Sequence, residues 1–393
     1  MSIINQLVKP ASTAVAANHY SNLVNRKTTP VIIAGEVVKN GSMCPIFHWN
    51  AIWHHRVAVE LCAQLFDDKE QTLAIFGDLK KYQKMYNRMY STMPLRSNKS
   101  FSYYLGVVAL DALLESAKNK QKHLKVFHNI ITHLNGDGAF IEGSHYSIFC
   151  SQSFDRVYDL LSSYYRDTPL WLEVCESMEK LQQWQRRISN SEGVVASIGD
   201  SWYEKVEPTD EIGSFVYKDM TIHRNKRWTV ISNHRRSPWA LHEHPHFDEI
   251  LISKDGEWIV QGSGMPSYKQ VMAKPFRWRR PRNHFYVEKS FDYMFIWRAM
   301  KGRINFRNIN IGSDVVQVVD KGYNTIRWPN SGWYDFDEEK QCVTFSYKGA
   351  DFVVTGDIKS AAKGHAWQST TYNNSIKVDV VRITGRNLIT TIK

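Results

Sequence analysis

The stretch WALHEHPHFDEILI, Trp239 to Ile252, sets His242, His244, His246 and Asp248 on alternating positions directly before an apolar run. In a strand, side chains two residues apart share a face, so all four polar groups would point the same way. That face is either a wet surface or a site. Imidazoles there can move protons or hold a metal, and a nearby carboxylate can orient an imidazole. Two histidines and one acid can also hold iron, although a long helical half argues against a simple barrel oxygenase. For Asp248 the plain alternative is a strand-surface aspartate. A second run, KPFRWRRPRNHFYVE, places Arg277, Arg279, Arg280 and Arg282 around Trp278. Guanidinium forks bind carboxylate, sulfate or phosphate, and an indole can stack beside them. The same run also suits a charged edge strand that resists aggregation.

The whole chain is basic: 50 Lys and Arg against 39 Asp and Glu give a net charge of +11 over 393 residues. Such a chain attracts nucleic acid, anionic membranes or acidic polysaccharides. No helix-turn-helix, zinc-finger or RNA-recognition signature supports nucleic acid. No run reaches the eighteen or so apolar residues of a membrane span, so no membrane partner is expected. The N-terminus lacks a basic start followed by an apolar core. The expected location is therefore the cytoplasm, or outside it by a non-classical route such as a phage particle. Cys44, Cys62, Cys150, Cys175 and Cys342 are odd in number and widely spread, which fits reduced thiols rather than a disulfide framework. The chain has 13 Trp and 19 Tyr, aromatics that suit sugar stacking as well as ordinary cores.

Two grammars divide the elements that must position these residues. Up to about residue 190 the chain reads helical. HHRVAVELCAQLF, EQTLAIFGDLKKYQKMYNRMY, SFSYYLGVVALDALLESAK, QKHLKVFHNIITHL, FDRVYDLLSSYY and LWLEVCESMEKLQQWQRRI all repeat apolar residues at three- and four-residue spacing. From 206 to 393 the segments are short, rich in β-branched and aromatic residues, and punctuated by turns such as Lys254-Asp255-Gly256. Helices followed by strands mean segregated layers. The expected fold class is α+β in two domains, with helices over 1–205 and an antiparallel β-sandwich over 206–393. A ligand is expected in a cleft between them, where sites are common.

Four stretches, in order, resemble the heparinase II/III-like polysaccharide lyases. NGDGAFIEGSHYSIF, Asn135 to Phe149, is similar to the family's D-G-x-x-x-E-G-x-x-Y segment. SIGDSW, Ser197 to Trp202, is similar to its Gly-Asp-Ser stretch. HEHPHFDEILI is similar to its H-x-H-x-D segment, and NHFYVE, Asn283 to Glu288, to its later His-Asn-Thr segment. The resemblance implies an incomplete (α/α) toroid of helical hairpins before the sandwich. It also implies β-elimination on a uronic-acid-containing chain. That reaction removes a proton from the carbon beside a carboxylate, so it needs donors that hold the developing enolate charge and a group that moves the proton.

Carried over residue by residue, the resemblance makes Tyr146 the proton-transfer residue, with a packed tyrosine as the structural alternative. Asn98 would bind the substrate carboxylate; an N-cap role at the following helix is compatible with it. Lys99 stands where the family commonly has histidine. It can neutralise a carboxylate but is a poor base at neutral pH unless desolvated. His244 would face the substrate. His246, with His284, would hold a structural zinc ion. The aspartate expected as a further ligand is replaced by Gln261, a poor zinc ligand. Arg235 and Arg236 can grip an anionic sugar or simply face solvent. Trp53 and His54 can line a sugar cleft or pack on a helix surface. Glu142 and Asp200 suit the fixing of loops and helix ends. The Lys99 and Gln261 departures favour a second reading: a non-catalytic carbohydrate-binding or assembly protein of the same architecture.

Overall fold

A computed structural model describes residues 31–33, 36–38, 49–74, 76–90, 97–199, 201–233, 249–262, 264, 307–371 and 374–393. Its contacts divide the chain into two units, Met1–Glu142 with Tyr146–Gln182, and Gly143–His145 with Gln183–Lys393. The helices are α1 (Trp49–Phe66), α2 (Lys69–Ala74), α3 (Phe76–Tyr90), α4 (Asn98–Leu113), α5 (Lys120–Leu134), α6 (Ser144–Asp155), α7 (Tyr158–Tyr165) and α8 (Pro169–Arg187).

Helix α4 is the hub of the first unit. It packs on α1, α5 and α7, and apart from Lys99 and Tyr104 it is buried from Asn98 to Ala112. Ser97 starts it: the side-chain oxygen accepts a hydrogen bond from the Ser100 N–H at 3.4 Å, an N-cap that satisfies one of the free amides of the first turn. Helix α5 buries Leu124, Phe127, Ile130, Ile131 and Leu134, one stripe at helical spacing. Helix α8 buries Trp171, Val174, Met178 and Leu181 in the same way. The apolar periodicity of the sequence thus maps onto the helices, with two differences. Residues 69–90 form two helices where one was expected. Helix α6 arises in a stretch that shows no amphipathic stripe, because it is buried on nearly every side.

The second unit carries two antiparallel sheets. The five-stranded sheet runs in sequence order: β1 (Gly213–Tyr217), β2 (Met220–Arg224), β3 (Trp228–Asn233), β4 (Glu249–Lys254) and β5 (Glu257–Val260). Asp255 and Gly256 both have positive φ, 48° and 84°, as a primed two-residue hairpin turn requires. The six-stranded sheet comprises β6 (Arg307–Ile311), β7 (Val316–Pro329), β8 (Asp335–Asp337), β9 (Cys342–Tyr347), β10 (Ala350–Thr371) and β11 (Asn374–Ile392). Its spatial order is β8-β9-β10-β11-β7-β6. Trp228, Val230, Ile250 and Ile252 of the first sheet meet Val318, Ile326, Trp328, Phe352 and Ile383 of the second in one apolar cluster. Two sheets burying their inner faces against each other make a sandwich, and the fold is α+β.

Candidate functional site

In the first unit Asn98 and Glu142 meet at the start of α4. Asn98 is its first residue and is 2% exposed, and its Oδ1 is buried without a hydrogen-bond partner. The Asn98 N–H donates to Glu142 Oε2 at 2.7 Å. Glu142 is fully buried. A carboxylate at a helix N-terminus gains from the free amides and from the positive end of the helix dipole. Burial first, and then the nearby Glu142 charge, push the Cys150 thiol well above its ordinary range. Cys150 lies one helical turn after Tyr146, so the two share a face of α6. Tyr146 itself is 8% exposed and sits in the first turn of α6, a position that favours negative charge. Ser147 and Ser151 are buried along the same helix. Lys99, the next residue of α4, is half-buried.

In the second unit, three of the segments singled out in the sequence are knitted together. The Ser144 N–H donates to the Ile198 carbonyl at 3.0 Å, and the Ile198 N–H donates to Ser144 Oγ at 3.2 Å. Gly143 makes this approach possible. Its φ is +94°, and a Cβ there would stand 2.2 Å from the Ile198 oxygen. His145 Nδ1 lies 2.9 Å from Glu204 Oε1, and its ring meets Trp202 edge-on at 4.4 Å. The Ser197 N–H donates to Gln261 Oε1 at 2.7 Å, and the Gly262 N–H reaches the same oxygen at 3.3 Å. Nearby Tyr203 has its phenol pushed up to about 12, first by burial and then by Tyr347 and Glu257.

Gln261 therefore spends its acceptor oxygen on two backbone amides, and the residue expected to complete a zinc site does not fit one. Among the described residues, no cluster of three or more His, Cys, Asp or Glu side chains could hold a metal ion. Trp53 and His54 lie on α1. His242, His244, His246, Asp248, His284, Arg235, Arg236, Asp200 and the Arg277–Arg282 run lie outside the described residues. No helix among the described residues is long and apolar enough to cross a membrane. The structure adds Ser144, His145, Trp202 and Glu204 to the residues the sequence picked out. The only early signal for the first two was their place inside the E-G-S-H-Y run.

Helices followed by a two-sheet sandwich make an α+β architecture. No family model matches the chain, and no curated protein matches it. Solved structures do. Heparan sulfate lyase HepC from Pedobacter heparinus aligns at 14% identity and a TM-score of 0.61, over 88% of this chain and 68% of that one. A heparinase III gene product aligns at 13% and 0.63, over 97% and 74%. Another heparinase III structure aligns at 11% and 0.60, over 95% and 72%. At such identities the likeness shows the fold, and the chain has the fold of these lyases.

Proposed function

We propose that the chain is a polysaccharide lyase that cleaves a uronic-acid-containing glycan by β-elimination. The observation that carries this reading is the buried bond between Asn98 and Glu142, with the buried Tyr146 four residues further along, on a fold shared with proteins named as heparan sulfate lyases. Those names point to a glycosaminoglycan-type substrate.

The chemistry divides as follows. Asn98, with His244, binds the substrate carboxylate, so the charge that builds up as the neighbouring C–H bond breaks is held by neutral or positive donors. Tyr146 transfers the proton. The carbon–oxygen bond one carbon further along breaks, a double bond forms between the two carbons, and the departing oxygen leaves as an alcohol. Lys99, Arg235 and Arg236 attract the acidic chain, and Trp53 and His54 contact its sugars. Because Gln261 does not serve a metal, no step passes through zinc; the zinc expectation rests on His246 and His284 alone.

The test is a spectrophotometric panel. An unsaturated uronate absorbs ultraviolet light, so cleavage of any one of several uronic polymers gives a rising signal, and heparan sulfate is the first choice. No signal on any polymer would discard the lyase reading. The half-buried Lys99 and the backbone-bound Gln261 favour one alternative, a carbohydrate-binding protein that does not cleave. Its signature is salt-sensitive binding to the same polymers with no product.

A further inference from the structure

We infer that Glu142 is a positioning residue, acting on the reaction through Asn98. This rests on the lyase reading and assigns a role to a residue outside the set that touches substrate. Glu142 sits in a loop 44 residues away from Asn98 along the chain, yet its Oε2 takes the Asn98 N–H at 2.7 Å. The first turn of α4 already has a local cap in Ser97, which serves Ser100. The carboxylate is therefore an added tie, directed at the one residue of that turn that carries a buried carboxamide. That carboxamide has an oxygen with no hydrogen-bond partner, a costly group to bury and an uncommon one to retain. A ligand that binds there finds a polar group already desolvated and fixed, because its backbone is clamped from outside the helix. The same carboxylate lies four residues before Tyr146 along the chain. A carboxylate used as a direct base would instead face the substrate carbon and would not spend an oxygen on a backbone amide.

The experiment measures cleavage by wild type, Asn98→Ala, Glu142→Leu, Glu142→Gln and the double variant Asn98→Ala/Glu142→Leu. It uses the polymer that gives the strongest signal with wild type. Leucine fills the space and accepts no hydrogen bond, whereas glutamine keeps an acceptor oxygen. Glu142→Leu is expected to lower kcat about 100-fold, the scale of a small misplacement of a reacting group. Glu142→Gln should recover at least about ten-fold of that loss. The double variant should be no slower than Asn98→Ala alone, since a residue acting through another has nothing left to act on. Additive losses in the double variant, or wild-type kcat in a folded Glu142→Leu protein, would overturn the positioning role while leaving the lyase reading in place. Should Glu142→Leu fail to fold, Glu142→Gln decides: a folded protein as slow as Asn98→Ala overturns the role. A wild type that cleaves nothing overturns the lyase reading and this role with it.

Discussion

The two units each bury a carboxylate, and they do so differently. In the sandwich, Asp320 faces Arg307 across β6 and β7 at 2.6 Å, with both side chains about 5% exposed or less. An opposite charge offsets the cost of leaving water, and the pair belongs to an otherwise apolar interior. In the helical unit, Glu142 takes a backbone amide, and the residue bearing that amide keeps an unsatisfied oxygen of its own. One arrangement sets opposite charges against each other through Asp320 Oδ1 and serves the fold, although Asp320 Oδ2 has no hydrogen-bond partner. The other joins the carboxylate to a neutral residue whose carboxamide oxygen has no partner, the kind of place where local rules are broken for function. The sandwich is thereby expected to govern stability, and the start of α4 and α6 to govern activity.

The comparison is easiest to break through its largest expected effect. Tyr146→Phe should lower kcat/KM about 10²–10⁴-fold, the usual scale for losing a general acid–base group, with an unchanged Tm. Progress curves and thermal melts on the same samples check this, and a large fall in Tm would recast Tyr146 as a packing residue. Asp320→Ala should do the reverse. It should cost about 3–5 kcal/mol in denaturant unfolding because it removes the carboxylate that faces the buried Arg307 guanidinium, with kcat per folded molecule preserved. Gly143→Ala should affect both. The positive φ alone costs about 1–3 kcal/mol, and the added methyl displaces the Ser144–Ile198 contact that anchors the start of α6. The smallest effect is in acid. The hydrogen bond from Arg187 holds the Glu211 carboxyl below its ordinary value of 4.5, with Arg187's charge and Gln183 also lowering it and burial opposing them. A depressed carboxyl contributes stability that is fully present above that ordinary value and is lost as pH falls through the folded value. Glu211 is partly exposed, so the effect should shrink with salt. Acid titration of stability in Glu211→Gln should show a flatter limb below pH 4.5 than wild type.

Much of this architecture was legible in the sequence, because helices with one buried stripe announce themselves by period. Leu124 to Leu134 is such a case, and the Lys254-Asp255-Gly256 turn is its counterpart in the sandwich. Helix α6 was not legible. It buries Ser144, Tyr146, Ser147, Ile148, Cys150, Ser151 and Phe154, so its apolar residues follow no stripe. The long strands β10 and β11 were only partly legible. In β10 the polar stretch DIKSAAKGHAWQSTT lacks the two-residue alternation of a half-buried strand, while main-chain pairing carries the two strands over 22 and 19 residues. Asn98 and Tyr146 could be singled out through the resemblance of their segments to the lyase family. The bond between Asn98 and Glu142 could not, since it joins positions 44 apart that no local pattern relates. Nor could the engagement of Gln261 by Ser197, which turns an expected ligand position into a backbone brace.

The most direct test of the central claim is where oxygen goes when the glycan is cut. Elimination adds no water across the broken bond, whereas hydrolysis does. Wild-type digestion of a uronic polymer in heavy-oxygen water, read by mass spectrometry, should give fragments whose masses sum to that of the starting chain, with no heavy oxygen incorporated at cleavage. Heavy oxygen at the new chain ends, with fragments heavier by one water, would contradict it.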